Sequence, residues 1–255
     1  MTSPTSPDDR AARRAVVQEL RQQLQQLERS CRRPAGGDVL FSTGLRRLDQ
    51  LLPGDGLLPG SLVEWLTADR GEGTATLAIV VAAQVLKHGG ALVVVDGRGE
   101  FYPPAAQALG VAPERVVVVR PRNPRDTFWA LEQALRSSGV AVVYGRVEGG
   151  DALVFRRLQL AAETGGSLGF LLRPATGRSQ VCWADARLAV RAVPSPGPAR
   201  PVDWRWRLRV ELLHGRGKPG GDMVELELHD EDETHPLHLA PPLARPALSA
   251  GATGS

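Results

Sequence analysis

The sequence predicts an α/β fold: a mostly parallel sheet with helices on both faces, antiparallel edge strands on the C-terminal side, and an amphipathic helix ahead of the core. Two observations carry this prediction. Residues 91–96, 116–119, 140–144 and 168–172 are continuous apolar runs, the pattern of strands buried on both faces. Between them lie helical patterns at 103–109, 126–137 and 152–164, each long enough for a right-handed crossover. Downstream, 186–193, 204–213 and 223–229 alternate polar and apolar residues, which suits antiparallel strands with one wet face.

The elements follow in order. Residues 1–10 are rich in Pro, Ser and Asp and are expected to lack fixed structure. From 11 to 33 the chain turns to helix formers, with Val17, Leu20, Leu24 and Leu27 spaced three and four apart. One narrow stripe cannot hold a helix folded alone, so it must bury against this domain or a partner chain. Pro34, Gly36 and Gly37 break that helix, making 34–38 a linker. The core is expected over 39–232. It opens with an extended piece at 39–41 and a short apolar run at Leu45, Leu48, Leu51 and Leu52. Turns at Gly54, Gly56, Pro59 and Gly60 lead to a buried strand at 61–66, a Gly-bearing loop and a helix at 76–87. Residues 233–255, rich in Pro, Ala and Gly, are expected to be a largely disordered tail.

Composition limits the function classes. Of the 255 residues 42% are hydrophobic, the net charge is +3, and no apolar run approaches the roughly 20 residues of a membrane span. A soluble protein with no membrane contact is expected. The start, with Asp8, Asp9 and two prolines, lacks the basic and apolar segments of a secretory signal. The two cysteines, Cys31 and Cys182, are far apart, and His214, His229, His235 and His238 have no ligand spacing. No disulfide framework and no metal site are expected.

The segment between the strand at 61–66 and the next helix is where a P-loop wraps a phosphate with backbone N–H groups. Placing Gly73 as its second glycine puts Ala68 at the first, Thr74 at the Lys position and Ala75 where a hydroxyl should hold Mg²⁺. The strand at 140–144 should end in a metal-holding acid, but Tyr144 and Gly145 stand there, followed by Arg146. Gly71, Gly73, Thr74 and Thr76 therefore form a vestigial nucleotide loop in which Thr74 and Thr76 retain hydroxyls for an anion. No cofactor is expected, tight ATP binding included. Arg205, Arg207 and Arg209 alternate with Trp204, Trp206 and Leu208, so one strand face can offer a weak DNA contact. A solvated edge strand accounts for the row equally well, and the same choice applies to Arg120, Arg122 and Arg125. Asp96, Glu100, Asp126 and Glu148 follow strand ends, where they suit helix capping or solvent.

Taken in order, these features resemble the RecA family over about residues 39–230. They are Phe41 to Leu45 with Leu48 and Asp49, Gly56 to Gly60, Val63 and Glu64, Gln84, Val94 to Asp96 with Pro103 and Ala105, Leu109 to Val111, and Ala186 to Arg191. The resemblance implies a P-loop NTPase type of core. In active RecA proteins a catalytic Glu lies two residues after the Asp of the second strand; here Arg98 holds that position and Glu100 is the nearest acid. Between Pro174 and Ala186 only a short stretch stands where RecA has a long DNA-gripping loop. The shortened core, the N-terminal helix and the Gly-Lys-Pro-Gly-Gly turn at 217–221 most resemble the ImuA-type mutagenesis accessory proteins. That implies a non-enzymatic role in the bacterial damage response, in the cytoplasm at the nucleoid, with an inactive Y-family polymerase homologue and RecA-like subunits as partners in translesion synthesis. Two alternatives stay open: a nucleotide switch in which Arg70 or a neighbour's Arg replaces the missing Lys, and a DNA-binding accessory module.

Overall fold

The computed structural model describes residues 40–67, 73–180, 183–194 and 205–229. The helix expected at 11–33, the linker at 34–38, Gly71 and the tail lie outside the described residues. A short helix, α1 (Arg46–Leu51), precedes β1 (Leu62–Thr67), α2 (Thr74–Leu86), β2 (Ala91–Val95), α3 (Pro103–Ala108), β3 (Val116–Val119) and α4 (Pro124–Leu135). Then come β4 (Val140–Arg146), α5 (Ala152–Gly165), β5 (Leu168–Pro174), β6 (Ala186–Val193), β7 (Arg205–Gly215) and β8 (Met223–His229). The strands form one eight-stranded sheet in the order β3-β2-β4-β5-β1-β6-β7-β8. All pairings from β3 to β6 are parallel, and β7 and β8 add on antiparallel.

Successive residues on a strand point to opposite faces, and here both faces are apolar. Val63, Trp65, Val94, Val142 and Phe170 meet Leu77, Val81 and Val85 of α2 on one face. Leu62, Val93, Val95, Val143 and Leu171 meet Leu131 and Leu135 of α4 and Phe155 and Leu158 of α5 on the other. Double burial is why these strands read as unbroken Val and Leu runs. Helix starts are fixed by short side chains that accept orphan backbone N–H groups: Asn123 accepts from Asp126 N and Asp151 from Val154 N. Gly166, at φ 69°, closes α5 in the left-handed conformation.

Two local features differ from the sequence expectation. The apolar run after Leu45 is α1, because the Asp49 carboxylate takes hydrogen bonds from Ser42 Oγ, Thr43 N and Thr43 Oγ1 and folds the preceding segment back on the helix. And β6 is no edge strand: it pairs in parallel with β1 and antiparallel with β7. Its alternation misled because Arg187, which looks like a solvent-facing position, is buried.

Candidate functional site

Beyond the C-terminal ends of β2, β3 and β4 lies a cleft of about 440 Å³, bordered by Ala75 and Thr76 at the start of α2. Open α/β sheets place ligands at this rim. Gly73, at φ 78°, turns the chain into α2. Thr74 follows it, buried, with an Oγ1 that has no hydrogen-bond partner among the described residues. Of the predicted loop residues, Thr76 therefore borders the cleft and Gly73 and Thr74 start the helix behind it.

The opposite wall carries charge. Arg98 bonds Glu148 and lies 3.8 Å from Glu100, and Arg146 lies 3.4 Å from Glu100. Two guanidiniums and two carboxylates thus offset one another across the strand ends. Asp96 is committed to structure, accepting from Glu100 N and Phe101 N at 3.0 Å each. Tyr144, at the end of β4, has its phenol pushed up from 10.0 to about 12. Removal from water is the main cause; Arg146 opposes it, and Asp96 and Glu100 add to it. The phenol stays neutral at physiological pH and offers no anionic oxygen to a metal. Among the described residues, no group of three or more His, Cys, Asp or Glu side chains could hold a metal ion. Phe101 and Tyr144, whose rings are 6.5 Å apart, also line the cleft.

A second charge cluster lies inside the sheet, beneath the face that carries α4 and α5. Glu64 of β1 is buried, with Oε1 3.1 Å from Arg173 Nη1 of β5 and Oε2 2.6 Å from Arg187 Nε of β6. Both arginines are buried too. Arg187 Nη1 donates to the carbonyls of Arg178 and Gln180, and Arg173 bonds the Gln180 side chain. The Arg173 guanidinium also lies 4.4 Å from the centre of the Phe155 ring, a cation–π contact. These bonds tie the chain after β5 down onto the sheet. The sequence reading missed the cluster, using Glu64 and Arg187 only as family markers. The available signal was Glu64 alone, a charge standing singly inside an otherwise apolar run.

The arginine row on β7 is matched by acids on β8. Arg207 lies 2.8 Å from Glu225 and 3.4 Å from Glu227, and Arg209 lies 2.7 Å from Glu225. The hydrogen bond from Arg209 holds the Glu225 carboxyl below its usual range, with the nearby charge of Arg207 adding to it. Arg205 stands on the same strand opposite His229. Asp126 does not cap α4: Asn123 does, and the Asp126 carboxylate accepts a hydrogen bond from Asn123 Nδ2, while Glu148 pairs with Arg98.

No family model matches the chain. It is 31% identical over 232 residues to Protein ImuA of Caulobacter vibrioides, covering 84% of this chain and 94% of that protein. A shorter segment is 35% identical over 111 residues to the chloroplastic DNA repair protein recA homolog 1 of Arabidopsis thaliana, covering 43% of this chain and 25% of the plant protein. Protein RecA of a Nostoc strain matches at 33% identity over 103 residues, covering 40% of this chain and 28% of that protein. A RecA-like sheet, near full-length similarity to ImuA and a partial one to RecA together place this chain in the ImuA family.

Proposed function

We propose that this protein is a non-enzymatic, RecA-like accessory protein of the bacterial DNA-damage response. It supports error-prone translesion synthesis as an adaptor between an inactive Y-family polymerase homologue and RecA-like proteins. The observation that supports this reading best is the charge at the strand ends. RecA-type hydrolysis needs a Lys and a hydroxyl in the loop and acids at the ends of β2 and β4 to hold and use Mg²⁺–ATP. This chain has Thr74, Ala75, Arg98 and Tyr144 there. Its carboxylates Glu100 and Glu148 are already neutralised by Arg98 and Arg146. In the adaptor reading the stripe of Val17, Leu20, Leu24 and Leu27 docks on a neighbouring RecA-like subunit.

Titration of Mg²⁺–ATP into the full chain by calorimetry, with a parallel phosphate-release assay, tests the reading. No heat of binding and no phosphate are expected; turnover would overturn it. A second reading, a nucleotide-responsive switch without hydrolysis, draws on the unpartnered Thr74 Oγ1 at the start of α2. Binding without turnover that is lost in Thr74→Val would favour it.

A further inference from the structure

Many exposed arginines among the described residues are paired. Arg98, Arg136, Arg146, Arg157, Arg178, Arg207, Arg209 and Arg216 each have a carboxylate within 4 Å. Arg120, Arg122 and Arg125 are set apart by being gathered on one turn. They lie on the turn that leaves the free edge strand β3 and enters α4, all three are exposed, and no carboxylate among the described residues pairs with them. The nearest acid in sequence, Asp126, takes a hydrogen bond from Asn123 Nδ2. Three unneutralised guanidiniums on one turn form a surface that suits an acidic partner.

The chain carries a matching acidic run. Directly after β8 come Asp230, Glu231, Asp232 and Glu233, four carboxylates in succession. β8 is antiparallel to β7, which is antiparallel to β6, and β6 is parallel to the rest of the sheet. β8 therefore runs in the same direction as β3, and its last residue, His229, lies at the same rim as the arginine turn. Laterally the two are at opposite edges of eight strands, which at about 4.8 Å per strand is about 30 Å or more. Four fully extended residues span at most about 14 Å. The acidic run of one molecule cannot reach its own arginine turn, but it can reach the turn of a molecule placed beside it.

We infer that Arg120, Arg122 and Arg125 receive the acidic run, residues 230–233, of a second copy of this chain. The contact is heterologous, joining one edge of the sheet to the opposite edge of the next copy, so it can repeat head to tail rather than close on itself as a symmetric pair. It draws on charge rather than strand addition: Arg47 Nη1 of α1 lies 3.4 Å from the Glu225 carbonyl of β8, in the way of a strand added at that edge. The inference goes beyond the adaptor reading and does not depend on it, since it concerns neither nucleotide nor the polymerase homologue.

Sedimentation velocity on the full chain, at low and high salt, provides the test. Self-association is expected at low salt and should weaken about tenfold or more when the Debye length falls from about 14 Å to about 4 Å. Two charge-reversed variants separate the surfaces: Arg120→Glu with Arg122→Glu and Arg125→Glu, and Asp230→Lys with Glu231→Lys, Asp232→Lys and Glu233→Lys. Each alone should be monomeric with an unchanged circular dichroism spectrum. An equimolar mixture should associate again, because the first variant keeps the acidic run and the second keeps the arginine turn. A wild-type chain that stays monomeric at low salt, or association that survives either reversal, overturns the inference. So does a monomer that binds a single-stranded oligonucleotide through the same three arginines, which would make the turn a nucleic-acid surface instead.

Discussion

Replacing Glu64 by Ala removes the carboxylate that stands between two buried guanidiniums. The side chains of Glu64, Arg173 and Arg187 are 1%, 2% and 4% exposed, with oxygen–nitrogen distances of 3.1 and 2.6 Å. Taking one member from a buried pair costs about 3–5 kcal/mol, because the remaining charge is left without compensation. Here two positive charges are left on neighbouring sides of β1, with Gln180 and backbone carbonyls among their acceptors, so about 4 kcal/mol is expected. Against a total stability of about 5–15 kcal/mol, that is a large fraction. In thermal unfolding it corresponds to a fall of about 8–16 °C for a domain of this size. Urea unfolding followed by circular dichroism measures it directly, and the loss should be nearly the same at low and high salt because the site is shielded from ions. Glu64→Leu combined with Arg173→Met and Arg187→Leu removes all three charges together and should recover most of the loss. A Glu64→Ala variant within about 1 kcal/mol of the parent protein would refute the view that the cluster holds the chain after β5 in place.

Two further outcomes follow from particular residues. The Tyr144 phenol is raised from 10.0 to about 12, so the folded protein holds its proton more tightly than the unfolded chain. The resulting stability is fully present below pH 10 and is lost as pH rises from about 10 to about 12. Tyr144→Phe should flatten that part of the pH–stability curve in chemical denaturation, and an unchanged slope would count against a water-excluded phenol. At the end of α5, a methyl group added at Gly165 would sit 2.1 Å from the Leu135 carbonyl oxygen. Gly165→Ala should therefore cost about 1–3 kcal/mol through forced backbone movement, seen as an earlier urea midpoint; a midpoint equal to the parent's would show that α4 and α5 can separate freely.

The parallel strands were legible because the chemistry behind them is local and repetitive. A strand covered by helices on both faces must be apolar at every position, and 91–95, 116–119, 140–143 and 168–172 are. The helices were legible to within a few residues, but their caps Asn123 and Asp151 were not read, although a cap is decided within four residues. What the sequence concealed depends on partners far apart in the chain. Arg187 sits in an alternating strand, and nothing local distinguishes it from the exposed Arg191 two turns of the pleat away. Only the pairing of β6 with β1 puts Glu64 beside it, 123 positions earlier. The arginine row of β7 was visible as a row, but its neutralisation by Glu225 and Glu227 required the register of β7 against β8.

The placement of charge has a common logic across the molecule. In a RecA-type core, the strand ends around the phosphate loop carry acids that metal and nucleotide neutralise, so the empty site is short of positive charge. In this chain the same corner is neutral without a ligand, because Arg98 and Arg146 stand against Glu100 and Glu148. The chain after β5 is likewise fixed by Glu64, Arg173 and Arg187, three residues of the protein itself. In the adaptor reading proposed above, charges that are satisfied internally leave such a core little to gain from nucleotide. Such a core is suited to presenting fixed surfaces to other proteins. Arg120, Arg122 and Arg125, gathered on one turn with no carboxylate partner among the described residues, point outward: charge left uncompensated within one molecule is charge available to the next.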